Sequence, residues 1–359
     1  MAIILIISLI YIIFTSLLLN SIKSIFSTLL PDSEPKIKIS VIVAAKNEEQ
    51  NTPALINSLT NQSYPPDLFE VIIIDDGSTD NTYDRAVELS KEYQNYTAYK
   101  VLTKKFPGKK GALQFGIEKA VNPFILITDA DCKPEKNWIK SFALKFDLGS
   151  EFIIGTAPFV QHKSFVNKIS CFENLRTHLL TLGMANIGMP YSAAARSFGF
   201  KKESFEKLSG YMNTLDTISG DDDLLLREAV KHKMKIDVVA EKDSFVYSEA
   251  PKSFSEYLSQ KTRHIKTSFH YVFIHKVFLA VWHLINLFML FSPVLMIISS
   301  KFLLLFSVKI FGEIYLVSST RKYFKYKFNF LEIIFYQAVY EILLVINFLN
   351  GSFRKVKWK

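Results

Sequence analysis

Residues 69–80, with the sequence FEVIIIDDGSTD, decide the fold. A run of apolar residues of strand length ends in two carboxylates and a Gly-Ser turn, and a helical pattern follows at 81–93. Because the apolar run does not alternate with polar residues, the strand is expected to be buried on both faces, as in a parallel sheet covered by helices. Ligands bind such sheets at the carboxyl ends of the strands, so the polar residues that end this run are candidate site residues.

The same pattern occurs on both sides of this stretch. The segments IKISVIVAAKNEE at 37–49 and PFILITDADC at 123–132 predict two further buried strands that end in polar residues, and 53–61 has helical spacing. Alternating apolar strands and helices predict an α/β fold with a mainly parallel sheet. We therefore expect the polar ends of the three strands to share one edge of that sheet.

The first 22 residues predict a membrane anchor. Residues 2–22 contain no charged side chain and, at a rise of about 1.5 Å per residue, can cross a hydrocarbon core of about 30 Å. An uncleaved anchor is favoured over a signal peptide, because a basic segment before the apolar run and a small-residue cleavage site are both missing. The first flanking charges, Lys23, Lys36 and Lys38, follow the helix, so the positive-inside rule predicts a cytoplasmic domain after it.

A second apolar region begins near Val277. The segment 277–299 predicts a span, whereas 302–317 and 328–349 contain acidic and basic residues that are costly at the bilayer centre. Three full spans would put the basic loop at 321–327 and the basic tail on opposite sides, so it stays open whether one segment lies in the interface. The predicted organisation is an anchor at 1–30, an α/β domain at 31–275, and a membrane region at 276–359 with two to three hydrophobic helices.

The net charge and the distribution of basic residues limit the classes of molecule that the protein is expected to bind. The 359-residue chain has 43 Lys and Arg against 34 Asp and Glu, a net charge of +9. These basic residues are dispersed or close to apolar segments and form no zinc-finger or RNA-binding pattern, so we expect contact with anionic lipid and none with nucleic acid. Cys132 and Cys171 form no motif, in agreement with a reducing compartment.

Two acidic motifs are candidate sites. Asp129 and Asp131 close the strand at 123–132, where both carboxylates can reach one hard cation such as Mg²⁺ or Mn²⁺, although a solvated loop is the simpler explanation. The acids of 221–223 precede a helix, whose N-terminus favours one or two of them. Three adjacent carboxylates repel one another, which suits a general base with a raised pKa, but helix capping explains the triplet equally well.

A basic helix is the third candidate. Gln260 and Arg263 are three residues apart and share a helical face, which suits a phosphate or a sugar hydroxyl. An amphipathic helix on the membrane surface explains the same pattern.

Taken in this order, the motifs resemble those of glycosyltransferase family 2, the inverting enzymes with the GT-A fold, in the membrane-bound branch that includes cellulose and hyaluronan synthases. The resemblance covers residues 39–266. It rests on the segments SVIVAAKNEE, NSLTNQSYP, VIIIDDGSTD, GKKGALQFGIEKA, ILITDADC, GFKKESFEKLSGY, GDDDLLLR and QKTRH. The implied fold is a Rossmann-like, nucleotide-binding α/β domain flanked by transmembrane helices.

The resemblance implies a role for each matching residue. The donor nucleotide is bound by Ala44, Asn47, Glu48, Asp75 and Asp76, the diphosphate by Lys109, and the donor and its metal by Asp129 and Asp131, with Asp131 more directly on the metal. The general base comes from the acidic triplet. Alignment on Arg227 selects Asp221, a Gly-Asp-Asp pattern selects Asp222, and Asp222 is preferred.

The acceptor motif departs from the family pattern. Gln260, Arg263 and His264 correspond to Gln-x-x-Arg-Trp, with His264 in place of the tryptophan. That change and the short membrane region disfavour a processive polysaccharide synthase. The expected protein is a multi-pass cell-membrane enzyme that uses Mg²⁺ or Mn²⁺ and transfers one sugar from a nucleotide sugar, with a UDP-sugar as the preferred donor, to a lipid-linked or cell-envelope glycan acceptor. The competing hypotheses are a nucleotidyltransferase and an inactive membrane scaffold.

Overall fold

The structure, a computed structural model, describes residues 1–28, 31 and 33–353. The chain divides into two compact units. The α/β unit comprises Thr28–Val160 and Met189–Glu249, and the helical unit comprises Met1–Ser27, Gln161–Gly188 and the described chain from Ala250 to Phe353. The segment Gln161–Gly188 therefore groups with the apolar helices, whereas the sequence predicts one soluble domain over 31–275.

The elements alternate along the α/β unit. The strands are β1 (Ile39–Ala45), β2 (Phe69–Asp75), β3 (Tyr96–Lys100), β4 (Phe124–Asp129), β5 (Cys132–Pro134), β6 (Phe152–Gly155), β7 (Phe198–Lys201), β8 (Ile236–Val239) and β9 (Val246–Ser248). The α-helices of the chain are α1 (Ala2–Ser27), α2 (Thr52–Thr60), α3 (Thr82–Ser90), α4 (Lys109–Lys119), α5 (Trp138–Asp147), α6 (Phe165–Asn186), α7 (Lys202–Lys207), α8 (Asp223–Lys231), α9 (Phe254–Ser268), α10 (Phe273–Phe291), α11 (Leu303–Thr320) and α12 (Phe330–Phe353).

A seven-stranded sheet forms the centre of the α/β unit, in the order β3-β2-β1-β4-β7-β6-β8. Its first four strands are parallel, β7 is antiparallel to both neighbours, and β8 is parallel to β6. The prediction of a mainly parallel α/β sheet is confirmed. The register sets Ala45 beside Asp75 and Ala44 beside Asp129, so the polar ends of β2, β1 and β4 meet at one edge, as the sequence predicts.

Apolar burial fixes this edge. The side chains of β1, β2 and β4 are almost all buried, and each fully buried aliphatic side chain stabilises the fold by about 1.5–3 kcal/mol. Helix α4 lies directly on β1 and β2, because Gly116 has no Cβ; a Cβ there would lie 2.6 Å from Ile42 Cγ2. The N-terminus of α4, with Lys109, is thereby held at the carboxyl edge of the sheet.

Four helical segments of the helical unit are long and apolar enough to cross a membrane: Ala2–Ser27, Phe273–Ile297, Ser300–Phe324 and Phe330–Phe353. All three predicted C-terminal segments are among them. The ring of Phe26 at the end of α1 stacks on Tyr323 just after α11, with centroids 4.6 Å apart, so the two helices end on the same side.

Three charged residues in these segments, Lys309, Glu313 and Glu341, are buried and form ion pairs. Lys309 Nζ lies 3.3 Å from Glu313 Oε2 and 3.4 Å from Glu341 Oε1, and Arg176 of α6 contacts Glu313 Oε1 at 2.9 Å. Two cations thus balance two carboxylates. Pairing of this kind offsets the cost of a charge within apolar helices.

Candidate active site

Two carboxylates and a thiol meet at the end of β4. The ligand atoms of Asp129, Asp131 and Cys132 all lie within 4.8 Å of one another. Desolvation and the charge of Asp129 raise the pKa of Asp131, so a cation between the two carboxylates would relieve an unfavourable arrangement. Burial and both carboxylates raise the pKa of the Cys132 thiol well above its usual value, which keeps it neutral. The donor set is therefore two carboxylates, which fits Mg²⁺ or Mn²⁺.

Lys109 joins this pair to the acidic triplet. Its Nζ lies 2.5 Å from Asp129 Oδ1 and 2.9 Å from Asp221 Oδ2. Burial alone would lower the pKa of the Lys109 ammonium, but the two carboxylates raise it well above its usual value. A charged amine therefore bridges two carboxylates that lie far apart in the sequence.

The three acids of the triplet have different partners. Asp222 caps α8 by accepting a hydrogen bond from Asp223 N at 2.7 Å, and its other oxygen accepts one from Ala195 N at 2.7 Å. Asp223 accepts hydrogen bonds from Ser192 Oγ and from a neighbouring backbone amide. Asp221 instead faces Lys109. Burial, followed by the charges of its two acidic neighbours, raises the pKa of Asp222 well above its usual value.

The end of β2 carries a second polar group. Asp75 is buried; its Oδ1 accepts a hydrogen bond from Ser78 N at 3.3 Å, and its Oδ2 has no partner among the described residues. Asp76 Oδ1 forms an ion pair with Lys104 Nζ at 2.7 Å. Lys104 is not among the residues predicted from the sequence, although a basic residue on the segment between a predicted strand and the GKKGAL motif is a usable signal.

The loop after β1 is held by the loop after β2. Asn47, with a φ of 57°, accepts a hydrogen bond from Thr79 N at 2.8 Å and donates one from its backbone to Ser78 Oγ at 2.9 Å. Burial, and to a smaller extent the charges of Asp131 and Asp129, raise the pKa of Glu48. Asn47 therefore shapes the loop, and the Glu48 carboxylate lies in the field of the candidate metal ligands.

Arg196 is a further residue that the sequence analysis missed. Its guanidinium donates to Ala157 O at 2.9 Å and to Ser248 Oγ, and it covers the ring of Phe159 at 4.5 Å from the centroid. Its charge lowers the pKa of Asp131, although burial dominates there. Only its position among small residues just before β7 distinguishes it in the sequence.

The predicted acceptor motif lies on α9 of the helical unit. Gln260 Oε1 is buried and has no hydrogen-bond partner among the described residues. Burial lowers the pKa of Arg263. Gln260, Arg263 and His264 are the predicted site residues outside the α/β unit; Ala44, Asn47, Glu48, Asp75, Asp76, Lys109, Asp129, Asp131, Asp221 and Asp222 all belong to that unit.

The chain is similar to known proteins in sequence and in fold. Residues 40–208 match the family model described as Glycosyl transferase family 2. This match covers just under half of the chain, and the resemblance to family 2 glycosyltransferases seen in the motifs is confirmed.

Two curated relatives are similar to a part of the chain. Glycosyltransferase AglE of Haloferax volcanii is 31% identical over 102 residues, which are 28% of this chain and 33% of the relative. Beta-monoglucosyldiacylglycerol synthase of Nostoc sp. is 39% identical over 95 residues, which are 26% of this chain and 20% of the relative. The chain thus spans a third or less of these two relatives.

One solved structure is similar over almost the whole chain. Mannosyltransferase PcManGT from Pyrobaculum calidifontis, in complex with GDP-Man and Mn²⁺, matches with a TM-score of 0.56 and 16% identity, over 97% of this chain and 96% of that one. This likeness shows the shared fold, and the predicted GT-A fold is confirmed.

Proposed function

We propose that the chain is a membrane-anchored, inverting glycosyltransferase that moves a sugar from a nucleoside diphosphate sugar to a lipid-linked or cell-envelope glycan. One observation carries this proposal: Lys109 connects Asp129 of the candidate metal site to Asp221 at the carboxyl edge of a parallel sheet. A residue proposed to bind the metal and donor, Asp129, and the proposed base, Asp221, therefore contact the same amine. The name of the Nostoc relative, a diacylglycerol glucoside synthase, agrees with a lipid acceptor.

The donor nucleotide is proposed to bind at the ends of β1 and β2. The buried Asp75 Oδ2 has no hydrogen-bond partner among the described residues and can accept a hydrogen bond from a ligand. The N3–H group of uracil can donate that hydrogen bond, which supports a UDP-sugar. Asp129 and Asp131 are proposed to hold Mg²⁺ or Mn²⁺. A bound divalent ion stabilises negative charge on the diphosphate as it departs.

The residues of the chain divide the transfer between them. Asp221 accepts the proton of the acceptor hydroxyl, whose oxygen bonds to the anomeric carbon while the bond from that carbon to the diphosphate breaks. Lys109 stabilises the negative charge left on the diphosphate. We assign the base to Asp221 and not to Asp222, because both Asp222 oxygens already accept backbone hydrogen bonds.

Residues of α9 are proposed to bind an anionic or hydroxyl group of donor or acceptor. Gln260 has a buried oxygen without a hydrogen-bond partner among the described residues. Arg263 is partly shielded from solvent, which lowers its pKa, but its guanidinium remains positively charged and can bind an anion. His264 replaces the aromatic residue of the family pattern, which supports addition of one sugar rather than polymerisation. The proposed location is the cell membrane, with the α/β unit in the cytoplasm.

The test is donor hydrolysis and transfer by the detergent-purified protein, with UDP-, GDP- and dTDP-sugars and with Mn²⁺, Mg²⁺ or EDTA. We expect release of a nucleoside diphosphate from one donor, with metal present. Asp221→Asn should reduce transfer by about 10²–10⁴-fold and leave nucleotide binding intact. Asp84→Asn, which changes an exposed acid on α3 that has no role in the proposed site, is the matched control.

Three outcomes contradict the proposal or a part of it. Normal transfer by Asp221→Asn, with loss of transfer in Asp222→Asn, would move the base to Asp222. Release of pyrophosphate would identify a nucleotidyltransferase, and a product with many added sugars would identify a processive synthase.

A further inference from the structure

Lys110, beside Lys109 on the first turn of α4, has no role in the site described so far. Its side chain is fully buried. The ammonium donates hydrogen bonds to the backbone carbonyls of Thr214 and Thr217, the second at 2.9 Å. Its partners among the described residues are therefore neutral carbonyl oxygens, whereas the neighbouring Lys109 is paired with carboxylates.

The loop that Lys110 contacts, residues 212–219, leads directly into the acidic triplet. Arg227 holds the same loop from α8: its Nη2 donates to Asn213 O at 2.6 Å, and its Nη1 pairs with Asp216 Oδ2 at 2.9 Å. Gly220 follows with a φ of +80° and turns the chain into Asp221.

Apolar burial contributes little to the order of this loop. Its large apolar side chains point to solvent: Met212 is 50%, Leu215 44% and Ile218 41% exposed. Two buried cations, Lys110 from α4 and Arg227 from α8, contact the loop from two different helices. Of these, Lys110 shares its helical turn with the amine that contacts Asp221.

We propose that Lys110 is a positioning residue: by holding the carbonyls of Thr214 and Thr217, it keeps the 212–219 loop in place and so sets Asp221 against Lys109. The inference rests on the proposed function, in which Asp221 is the base. The first turn of α4 then positions Asp221 in two ways. Lys109 contacts its carboxylate, and Lys110 holds the loop that precedes it.

The charge of Lys110 is costly, which argues against a purely structural role. Burial lowers the pKa of Lys110 to about 8; Asp221, Asp222 and Asp216 oppose this shift, and Arg227 adds to it. A methionine of similar length would avoid the cost of burying an ammonium that is held by carbonyls alone. A lysine is favoured over methionine here only if hydrogen bonds to the carbonyls of Thr214 and Thr217 are required.

The test compares Lys110→Met with Lys119→Met, an exposed lysine on the same helix. Hydrogen exchange of the 212–220 amides is measured without donor, together with kcat and the donor KM. We expect Lys110→Met to speed exchange in this loop about ten-fold, the factor for losing one charge-assisted hydrogen bond. Its kcat should fall by up to about 10²-fold at a nearly unchanged KM, because the base is displaced. Lys119→Met should match the wild type.

Wild-type protein gives an independent measurement if Lys110→Met does not fold. Lys110 is protonated below a pH of about 8 and neutral above it. Deprotonation replaces two charge-assisted hydrogen bonds with weaker neutral ones, so protection of the loop amides, corrected for the intrinsic exchange rate, should fall above that pH while α5 stays protected. Unchanged protection, either in Lys110→Met or through a pH about 1.5 above that pKa in the wild type, would overturn the inference. Loop exchange needs no activity, so this result is separate from failure of the proposed reaction.

Discussion

Lys109 is the residue at which the two halves of the candidate site depend on each other. It lies 2.5 Å from Asp129 and 2.9 Å from Asp221, so its charge partly neutralises both carboxylates. A divalent cation approaching Asp129 and Asp131 must compete with this ammonium. We infer that the site favours metal and donor together, because the diphosphate offers Lys109 an alternative partner.

The variant Lys109→Met tests this competition. Without the ammonium, the carboxylates attract Mn²⁺ more strongly, and we expect Mn²⁺ affinity without donor to rise about ten-fold, which equals about 1.4 kcal/mol. Sugar transfer should fall, because the diphosphate loses its cation. Titration calorimetry with Mn²⁺ alone measures the first effect. Lys104→Met, which removes the partner of Asp76, is the control, and equal Mn²⁺ affinity in all three proteins would count against the competition.

Individual residues could be predicted where local sequence defines their surroundings. Asp75 and Asp129 end apolar runs, so their place at the sheet edge follows from strand length. The different partners of Asp221 and Asp222 could not be predicted, because Lys109 and Ala195 reach them from distant parts of the chain. Helix capping and catalysis both favour acids at this terminus, so the sequence pattern alone leaves the base undecided.

Helix α4 is the element that aligns the site with the sheet. Its Gly116 lies against Ile42 of β1 and Ile74 of β2. The first turn of this helix carries both Lys109 and Lys110. A shift of the helix away from the sheet would therefore move both amines at once.

Gly116→Ala is the corresponding test. The new Cβ would lie 2.6 Å from Ile42 Cγ2, so the helix must move or the core must repack, at a cost of about 1–3 kcal/mol. We expect a lower midpoint of thermal unfolding and reduced transfer. Lys119→Ala at the exposed end of α4 should change neither, and a Gly116→Ala protein as stable and active as the wild type would contradict this account.

Elements with a simple apolar pattern were predicted well. Helices α2 and α3 lie within a few residues of the predicted 53–61 and 81–93. The sequence does not predict that α6 belongs to the helical unit, because this helix buries polar residues such as Asn174 and His178 and lacks a simple apolar pattern. Tyr326, which donates a hydrogen bond to the side chain of Asn174, comes from a segment far along the chain.

At the scale of the whole molecule, the helical unit is held together by charge as well as by apolar contact. Lys309 lies between Glu313 and Glu341, and Arg176 reaches Glu313 from α6. These residues join α6, α11 and α12. The cluster is neutral as a set, so loss of any one member leaves a net buried charge.

Lys309→Met should therefore destabilise the protein by about 3–5 kcal/mol, because one carboxylate loses its partner in a buried site. Thermal unfolding in detergent measures this loss. The double variant Lys309→Met with Glu341→Gln is neutral again and should recover part of the stability. A single variant as stable as the wild type would show that the cluster is not closed to water.

The contact between α1 and α11 also determines when these helices can pack together during synthesis. Tyr11 Oη donates to the carbonyl of Lys309, 298 residues later in the chain. At a synthesis rate of about 5–20 residues per second, α1 waits roughly 15–60 s for that partner. During this interval the ribosome delivers most of the α/β unit, while the first helix stands without its final neighbours. Synthesis of α11 and α12 is thus the step after which the helical unit can first be completed.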